Sequence, residues 1–174
     1  AYPYAEVVCG YTAFLLGIQS IVPEAYMEVQ YTSSWYDLTA EGEAANQLMA
    51  DGCVIIGQHA DSTGAPSAVQ AKKDAGEVVY SVGYNIDMLE AAPTAALTSS
   101  QNNWSVLYRD TLEKFLAGEE IPADYSVGIT EDAVMISTLG PECAEGTQEA
   151  VDAAWAGIKD GSLQVFDTSK FTCQ

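Results

Sequence analysis

The sequence has few basic residues and a single histidine. Six Lys and Arg stand against 25 Asp and Glu, which gives a formal net charge of −19 at pH 7. Because so negative a surface repels phosphate backbones, the composition argues against nucleic acid as a partner and disfavours anionic ligands. The same acidity serves solubility or reflects a source that favours acidic proteins. A neutral or cationic small molecule is the ligand type that this charge accommodates most easily.

Long apolar runs are also missing. No stretch approaches the roughly 20 apolar residues that a membrane helix needs, and the opening "AYPYAEVV" lacks the basic and apolar regions of a signal peptide. None of the four cysteines has the close spacing of a zinc or redox pair. Cys143 and Cys173 lie in polar, loop-like stretches, and both a disulfide and two free thiols remain open for them.

Sequence motifs for catalysis are absent as well. The chain has no P-loop, no complete dinucleotide-binding glycine motif and no metal-ligand cluster. The sequence therefore predicts neither a reaction nor a cofactor nor a metal site.

What is present is a regular alternation of helix and strand patterns in a chain that is 48% hydrophobic and 174 residues long. Helices are predicted at 5–21, 39–51, 65–75, 103–117 and 146–161, and strands at 26–33, 53–57, 78–84, 95–99, 132–139 and 163–166. Thr39 is a plausible N-cap, and the apolar run 53–57 predicts a strand buried on both faces. This order predicts an α/β fold with a mostly parallel sheet flanked by helices.

Three loops at the predicted carboxyl edge of this sheet carry the candidate site. They are "SSWYD" (33–37), "QHADSTG" (58–64) and "GYNID" (83–87), and each follows a predicted strand. Ligands of open α/β sheets bind at the carboxyl ends of the strands. The loops at the opposite edge contain only residues that end helices. Because the side chains that can stack or hydrogen-bond are at one edge, we expect the three loops to converge on one ligand.

The first loop offers two aromatic side chains and a carboxylate. Trp35 and Tyr36 are adjacent, so at least one of them must leave the core, where it can stack on a ligand. The alternative is that they cap the core. Asp37 is a candidate ligand residue too, although an acidic residue just before a helix also suits the helix dipole.

The other two loops offer small polar and acidic side chains, namely His59, Asp61, Ser62, Thr63, Gly64, Asn85 and Asp87. Each has a structural alternative. A lone histidine is more often a hydrogen-bonded structural residue than a catalyst. Ser62 or Thr63 can cap the following helix, and Asn and Asp are suited to turns.

Residues 33–63, "SSWYDLTAEGEAANQLMADGCVIIGQHADST", closely resemble the basic membrane protein family of ABC-importer substrate-binding proteins. Further resemblance is carried by "AFLLGIQSIVP", "GYNIDM", "APTAALTSSQNNW" and "IKDGSLQVF", in the family's order and over most of the chain. The resemblance implies the type I periplasmic binding protein fold, in which a ligand lies between two α/β lobes. Many members are lipoproteins that bind purine nucleosides or nucleobases.

The resemblance also implies how the chain is organised. Residues 1–174 are similar to the second lobe, with segments within 98–130 that cross toward a first lobe preceding this chain. We therefore expect an extracytoplasmic solute-binding component at the cell surface or in the periplasm. Its partners would be a small-molecule ligand and an ABC permease, it would have no catalytic activity, and it would reach the membrane only through a lipid anchor outside this chain.

The family's site residues transfer to particular positions. Its stacking aromatic corresponds to Trp35, and its small polar loop corresponds to residues 61–64. Nucleoside-binding members have an aspartate where this chain has Asn85 and a lysine where it has Asn102. Because both charges that hold a ribose are absent, we expect a purine base or another flat heterocycle.

Two other classes of function remain open. One is a cytoplasmic ligand-sensing regulator on the same fold, and the other is an enzyme that acts on nucleosides. A signal peptide and lipid-acceptor cysteine ahead of residue 1 would favour the importer, and a DNA-binding module there would favour the regulator. An enzyme would need a metal or clustered carboxylates that the sequence does not display.

Overall fold

The computed structural model describes residues 1–166. Its helices are α1 (Ala5–Gln19), α2 (Leu38–Ala50), α3 (Gly64–Asp74), α4 (Trp104–Ala117) and α5 (Thr147–Asp160), with a short 3-10 helix at Ile129–Glu131. Its strands are β1 (Ile55–Gly57), β2 (Tyr80–Asn85), β3 (Ala96–Asn102) and β4 (Val134–Ile136).

The four strands form one sheet in the order β1-β2-β3-β4. β1 pairs with β2 and β2 with β3 in parallel, whereas β4 is antiparallel to β3. The predicted α/β class with a mostly parallel sheet is therefore confirmed. Parallel neighbours place the carboxyl ends of β1, β2 and β3 at one edge, which is the edge that carries the candidate site.

The hydrophobic core lies where α2 and α3 pack on the sheet. Met49, Ile56, Val69 and Met88 are buried there among many alanines. Small side chains let the two helices approach closely, and the closest approach is at Gly64. A Cβ at that position would lie 2.3 Å from the carbonyl oxygen of Leu38, so only glycine fits. This packing places the start of α3 directly against the start of α2.

The N-terminus of α2 is capped by Asp37, and the prediction of Thr39 as N-cap is wrong. The Asp37 Oδ1 accepts hydrogen bonds from the backbone N–H groups of Thr39 at 3.0 Å and Ala40 at 2.9 Å. An aspartate just before a helix satisfies donors that would otherwise lack a partner and matches the helix dipole. This cap fixes the loop that carries Trp35.

Two predicted strands do not form. Alternating apolar residues determine which face of a strand is buried, but a strand also needs a neighbouring strand with which to pair. Residues 26–33 and 163–166 carry no strand assignment. Residues 25–32 run past β1 without joining the sheet, so β1 is an edge strand. The prediction that the run 53–57 is buried on both faces is therefore wrong. Ile56 is buried, but Ile55 is 39% exposed.

Two further features concern the membrane and the thiols. Within residues 1–166, no helix combines the length and hydropathy required to span a bilayer. Cys143 is a free thiol whose Sγ lies 3.3 Å from the Leu97 carbonyl oxygen. Its possible partner in a disulfide, Cys173, lies outside the described residues.

Candidate ligand-binding site

The three loops converge, and a chain of hydrogen bonds joins them. The Asp61 N–H donates to the Trp35 carbonyl at 2.8 Å. Asn85 Nδ2 donates to Asp61 Oδ1 at 3.1 Å, and Asn102 Nδ2 lies 3.4 Å from Asn85 Oδ1. We call Asp61, Asn85 and Asn102 the polar chain. It crosses the carboxyl edge from β3 over β2 to the loop after β1, so the three loops meet at this edge, and their convergence on one ligand stays a prediction.

The backbone of Asn85 is bent to make this possible. Asn85 ends β2 with φ +72°, in the left-handed region that few residues other than glycine adopt. Asparagine tolerates this conformation better than most side chains. Ser33, at the start of the Trp35 loop, also has a positive φ of 54°. Such strained positions concentrate in loops that bind ligands.

Trp35 lies in an aromatic cluster that the sequence analysis missed. Its ring centroid is 5.4 Å from that of Tyr2 and 5.8 Å from that of Tyr4, both in tilted geometry. Tyr2 and Tyr4 stack on each other at 5.3 Å. Trp35 remains 38% exposed, so part of its surface is open for stacking. The sequence signal for this cluster is the pair of tyrosines in "YPY" (residues 2–4). We used that stretch only as evidence against a signal peptide.

Three predicted ligand residues have other roles. Tyr36 is 63% exposed, and its backbone N–H donates to the Ser34 hydroxyl. The Asp37 carboxylate caps α2, as described above. Asp87 Oδ1 accepts from the Leu89 N–H at 2.9 Å, which is ordinary turn chemistry. The geometry gives none of these three residues a place in the polar chain.

The loop after Asp61 is buried at Ser62 and Gly64 and half-exposed at Thr63, and the ligand-binding role of these three residues stays a prediction. Ser62 is fully buried, and its hydroxyl accepts from the Gly64 N–H at 3.1 Å. Thr63 is the N-cap residue of α3, although its side chain makes no capping hydrogen bond. Gly64 is buried against Leu38. Only Asp61 of this loop is placed in the polar chain.

Glu41 is a buried carboxylate that the sequence analysis interpreted only as part of a helix. Its side chain is 3% exposed. Oε1 accepts from the backbone N–H groups of Asp37 at 3.1 Å and Ser62 at 3.3 Å, so Glu41 ties two of the three loops together. Oε2 is buried without a hydrogen-bond partner. Its position one turn into α2, where the helix dipole favours a negative charge, was the available signal.

His59 faces away from the polar chain. Its ring stacks on Tyr84, with centroids 4.2 Å apart and planes inclined by 25°. Its Nδ1 is buried without a partner, and its ring lies against Gly10 of α1. His59 therefore lines a cavity between α1 and β1, and its role in ligand binding stays a prediction.

The resulting site offers an aromatic face, two carboxamides and one carboxylate. Such groups bind by stacking and by directed hydrogen bonds. Among residues 1–166 no three His, Cys, Asp or Glu side chains are grouped closely enough to hold a metal ion.

A mostly parallel sheet with helices around it is the fold that this chain shares with solute-binding proteins of the periplasmic-binding-protein type, and its polar side chains lie at the edge where ligands of such sheets bind. The chain belongs to the Bmp family, described as ABC transporter substrate-binding protein PnrA-like, whose model matches residues 1–168. Members of this family are substrate-binding proteins of transporters. The resemblance found in the sequence is thereby confirmed.

Two curated relatives match almost the whole chain. A Haloferax volcanii protein named as an ABC transporter glucose-binding protein, TsgA13, is 33% identical over 98% of this chain and 42% of its own length. A Brucella abortus protein named as a purine-binding protein is 32% identical over 94% of this chain and 45% of its own length. The chain thus spans less than half the length of these relatives.

Solved structures share the fold. An ABC transporter solute-binding protein from Conexibacter woesei is 22% identical with a TM-score of 0.65, over 88% of this chain and 52% of that one. A transcriptional activator of the comK gene from Bacillus halodurans is 20% identical with a TM-score of 0.76, over 94% of this chain and 55% of that one. At these identities the likeness shows the fold alone.

Proposed function

We propose that this chain is the ligand-binding lobe of an extracytoplasmic solute-binding component of an ABC importer, and that its ligand is a purine base. The observation that carries the proposal is the polar chain, which ends at the backbone carbonyl of Trp35. The base stacks on the exposed part of Trp35. Its ring nitrogens and exocyclic groups exchange hydrogen bonds with Asp61, Asn85 and Asn102.

The chemistry of the polar chain supports a base over a riboside. Each carboxamide has donors and an acceptor, which match the alternating edge of a purine. Asn85 and Asn102 are neutral, so they lack the charge-assisted hydrogen bonds that hold ribose hydroxyls tightly. A relative named as a purine-binding protein is consistent with this ligand.

A sugar is the second candidate. One relative is named as a glucose-binding protein, and Trp35 with the carboxylate and carboxamides of the polar chain also suits the apolar face and hydroxyls of a sugar. The two candidates differ in the donors and acceptors they present, so a single ligand panel separates them.

We further propose that the site is completed by another lobe. Support comes from the chain's share of its relatives, 42% and 45% of their lengths, and from the exposed apolar residues of α4. In this arrangement residues 98–130 include the segments that meet the other lobe, and an ABC permease receives the ligand. A lipid anchor, where the protein has one, lies outside this chain.

The ligand panel uses thermal shift on the longest form of the protein, with adenine, guanine, hypoxanthine, their ribosides and glucose. A purine base that stabilises the protein more than its riboside and glucose supports the proposal. Glucose as the strongest stabiliser supports the second candidate, and no shift with any of these ligands contradicts both.

The Trp35→Ala substitution tests the stacking face. Base–aromatic stacking contributes roughly 1–3 kcal/mol, so we expect affinity for the base to fall about 5- to 150-fold. Tyr36→Ala is the matched control, because Tyr36 is adjacent, aromatic and 63% exposed. Calorimetry on both variants measures the difference, and equal affinities would place the ligand elsewhere.

A further inference from the structure

A cavity beside β1 is lined by residues other than those of the polar chain. Its volume is about 560 Å³, it is partly open to solvent, and it is bordered by α1, residues 22–32, α2 and β1. Trp35, Asp61, Asn85 and Asn102 do not line it. The volume is within the range of roughly 300–1,000 Å³ that small-molecule sites occupy. The cavity is therefore a candidate site separate from the one proposed for the transported ligand.

Glu41 provides this cavity with a carboxylate oxygen that could accept a hydrogen bond from a ligand. The residue is 3% exposed and lines the cavity, and its Oε2 has no hydrogen-bond partner. A buried carboxylate oxygen without a donor is unfavourable, so such oxygens are normally paired. Since Oε1 is already held by two backbone N–H groups, Oε2 is the atom that remains for a bound donor.

The rest of the lining favours a positive charge. Glu24 and Glu28 join Glu41, and among the described residues that line the cavity there is no Lys or Arg. The only other charged group there is the amino group of Ala1, whose pKa is lowered by burial while the nearby Glu41 and Asp61 carboxylates oppose that shift. The field in the cavity is set by carboxylates, which attract cations.

Aromatic side chains complete the cavity. Tyr11 and Phe14 of α1 face Tyr31 and Tyr84, and the Tyr11 and Tyr31 hydroxyls are hydrogen-bonded at 3.0 Å, which ties α1 to the segment around Tyr31. Aromatic faces attract organic cations, as well as apolar groups. His59 Nδ1, buried and unpaired on the same cavity wall, adds a second polar contact.

We infer that this cavity binds an organic cation, namely a primary ammonium group on an apolar or aromatic body. The ammonium lies against Glu41 Oε2, and the body lies among Tyr11, Phe14 and Tyr31. The ammonium group of the ligand supplies the donor that Glu41 Oε2 lacks. The aromatic side chains replace the water around the apolar part of the ligand.

The test uses 2-phenylethylamine as the probe and 2-phenylethanol as its neutral counterpart, titrated by calorimetry into the full chain. We expect the amine to bind at least about tenfold more tightly than the alcohol, because it adds a charge-assisted hydrogen bond. Equal affinities, or no binding of the amine at millimolar concentration, overturn the inference.

Two variants locate the probe. Glu41→Gln should weaken amine binding about tenfold or more and leave alcohol binding nearly unchanged. Glu43→Gln is the matched control, because Glu43 lies on the same helix and is exposed. An unchanged amine affinity in Glu41→Gln contradicts the inference.

A cavity-filling variant covers the case in which Glu41→Gln fails to fold. Ala44→Leu adds volume to the cavity wall and keeps the Glu41 carboxylate, and it should abolish amine binding. Persistent binding in Ala44→Leu contradicts the inference. Saturating adenine should not displace the amine, whereas displacement would place the amine at Trp35 and overturn the assignment to this cavity.

Discussion

The α2–α3 region and α4 make opposite use of their apolar residues. In α2 and α3 the apolar side chains are mostly alanines and a few larger residues, and those facing the sheet are buried. In α4 no residue is buried, and five large apolar side chains are at least half exposed, namely Trp104, Tyr108, Leu112, Phe115 and Leu116. One region has completed its core, and the other presents a face without a partner among the described residues.

The difference indicates which part of the molecule holds the loops of the candidate site in place. The loops that carry Trp35 and Asp61 begin α2 and α3, and the contact of Gly64 with Leu38 joins these two helix starts. The site is therefore supported by the region with the completed core. α4 follows β3 directly, so Asn102 is the point where the supported region meets the uncovered one. Motion of α4 would be transmitted to the end of the polar chain.

Truncation of one side chain in the core beneath α2 and α3, and of one in α4, gives the largest expected contrast. Met88→Ala should lower the free energy of unfolding by about 2–5 kcal/mol, because Met88 is fully buried in the core. Leu112→Ala removes a side chain of similar size from α4. It should change the free energy of unfolding by less than about 0.5 kcal/mol, since Leu112 is 56% exposed. Urea unfolding measures both, and similar losses would show that α4 is packed in solution.

The uncovered face of α4 should also promote self-association of this chain. Exposed apolar patches tend to be covered by other molecules, and a fully buried large side chain contributes about 1.5–3 kcal/mol. The double substitution Leu112→Ser with Phe115→Ser should therefore weaken self-association at least about tenfold in sedimentation equilibrium. Glu113→Ser, on the same helix, is the control. A chain that is monomeric at all concentrations contradicts the prediction.

The smallest expected effect concerns a polar attachment of α4. Lys114 and Tyr125 both hydrogen-bond to Asp110 Oδ2, and these bonds, led by that from Lys114, lower the pKa of Asp110. Because the folded pKa lies below the unfolded one, the stabilisation is complete above about pH 4 and is lost as the pH falls through the folded pKa. We expect residues around Tyr125 to detach from α4 in acid.

An NMR pH titration of Tyr125 measures this detachment. In Asp110→Asn the acid-dependent step should disappear, because the asparagine does not titrate. Asp124→Asn is a matched control near the same segment. A step that persists unchanged in Asp110→Asn would assign the transition to another carboxylate.

The fold was largely predictable because its signals are local. Apolar periodicity and glycine stops located all five helices, and Gly118, with φ +72°, ends α4 as predicted. The segments 26–33 and 163–166 were predicted as strands but do not form them. Strand formation depends on a partner that is distant in sequence, so the pattern of one segment is insufficient. The antiparallel direction of β4 was not predicted for the same reason.

The site was predictable at the level of loops and less so at the level of side chains. Asp61, Asn85 and Asn102 meet because parallel strands end at one edge. Ser62 and Gly64 have the composition of a binding loop, but the close approach of α2 and α3 buries them. Glu41 was missed because its position one turn into α2 indicates only a favourable helix-end charge, whereas its burial comes from the loop at Ser62, which is distant in sequence.

The hydrogen bond between Asn85 and Asp61 has a consequence for how a ligand enters. Asp61 Oδ1 accepts from Asn85, which in turn lies next to Asn102. A ligand that donates to this oxygen binds by exchange, since it releases the Asn85 amide as it arrives. The released amide then faces an acceptor on the same ligand. The proposed site should therefore prefer molecules with a donor and an acceptor side by side over those that present a donor alone.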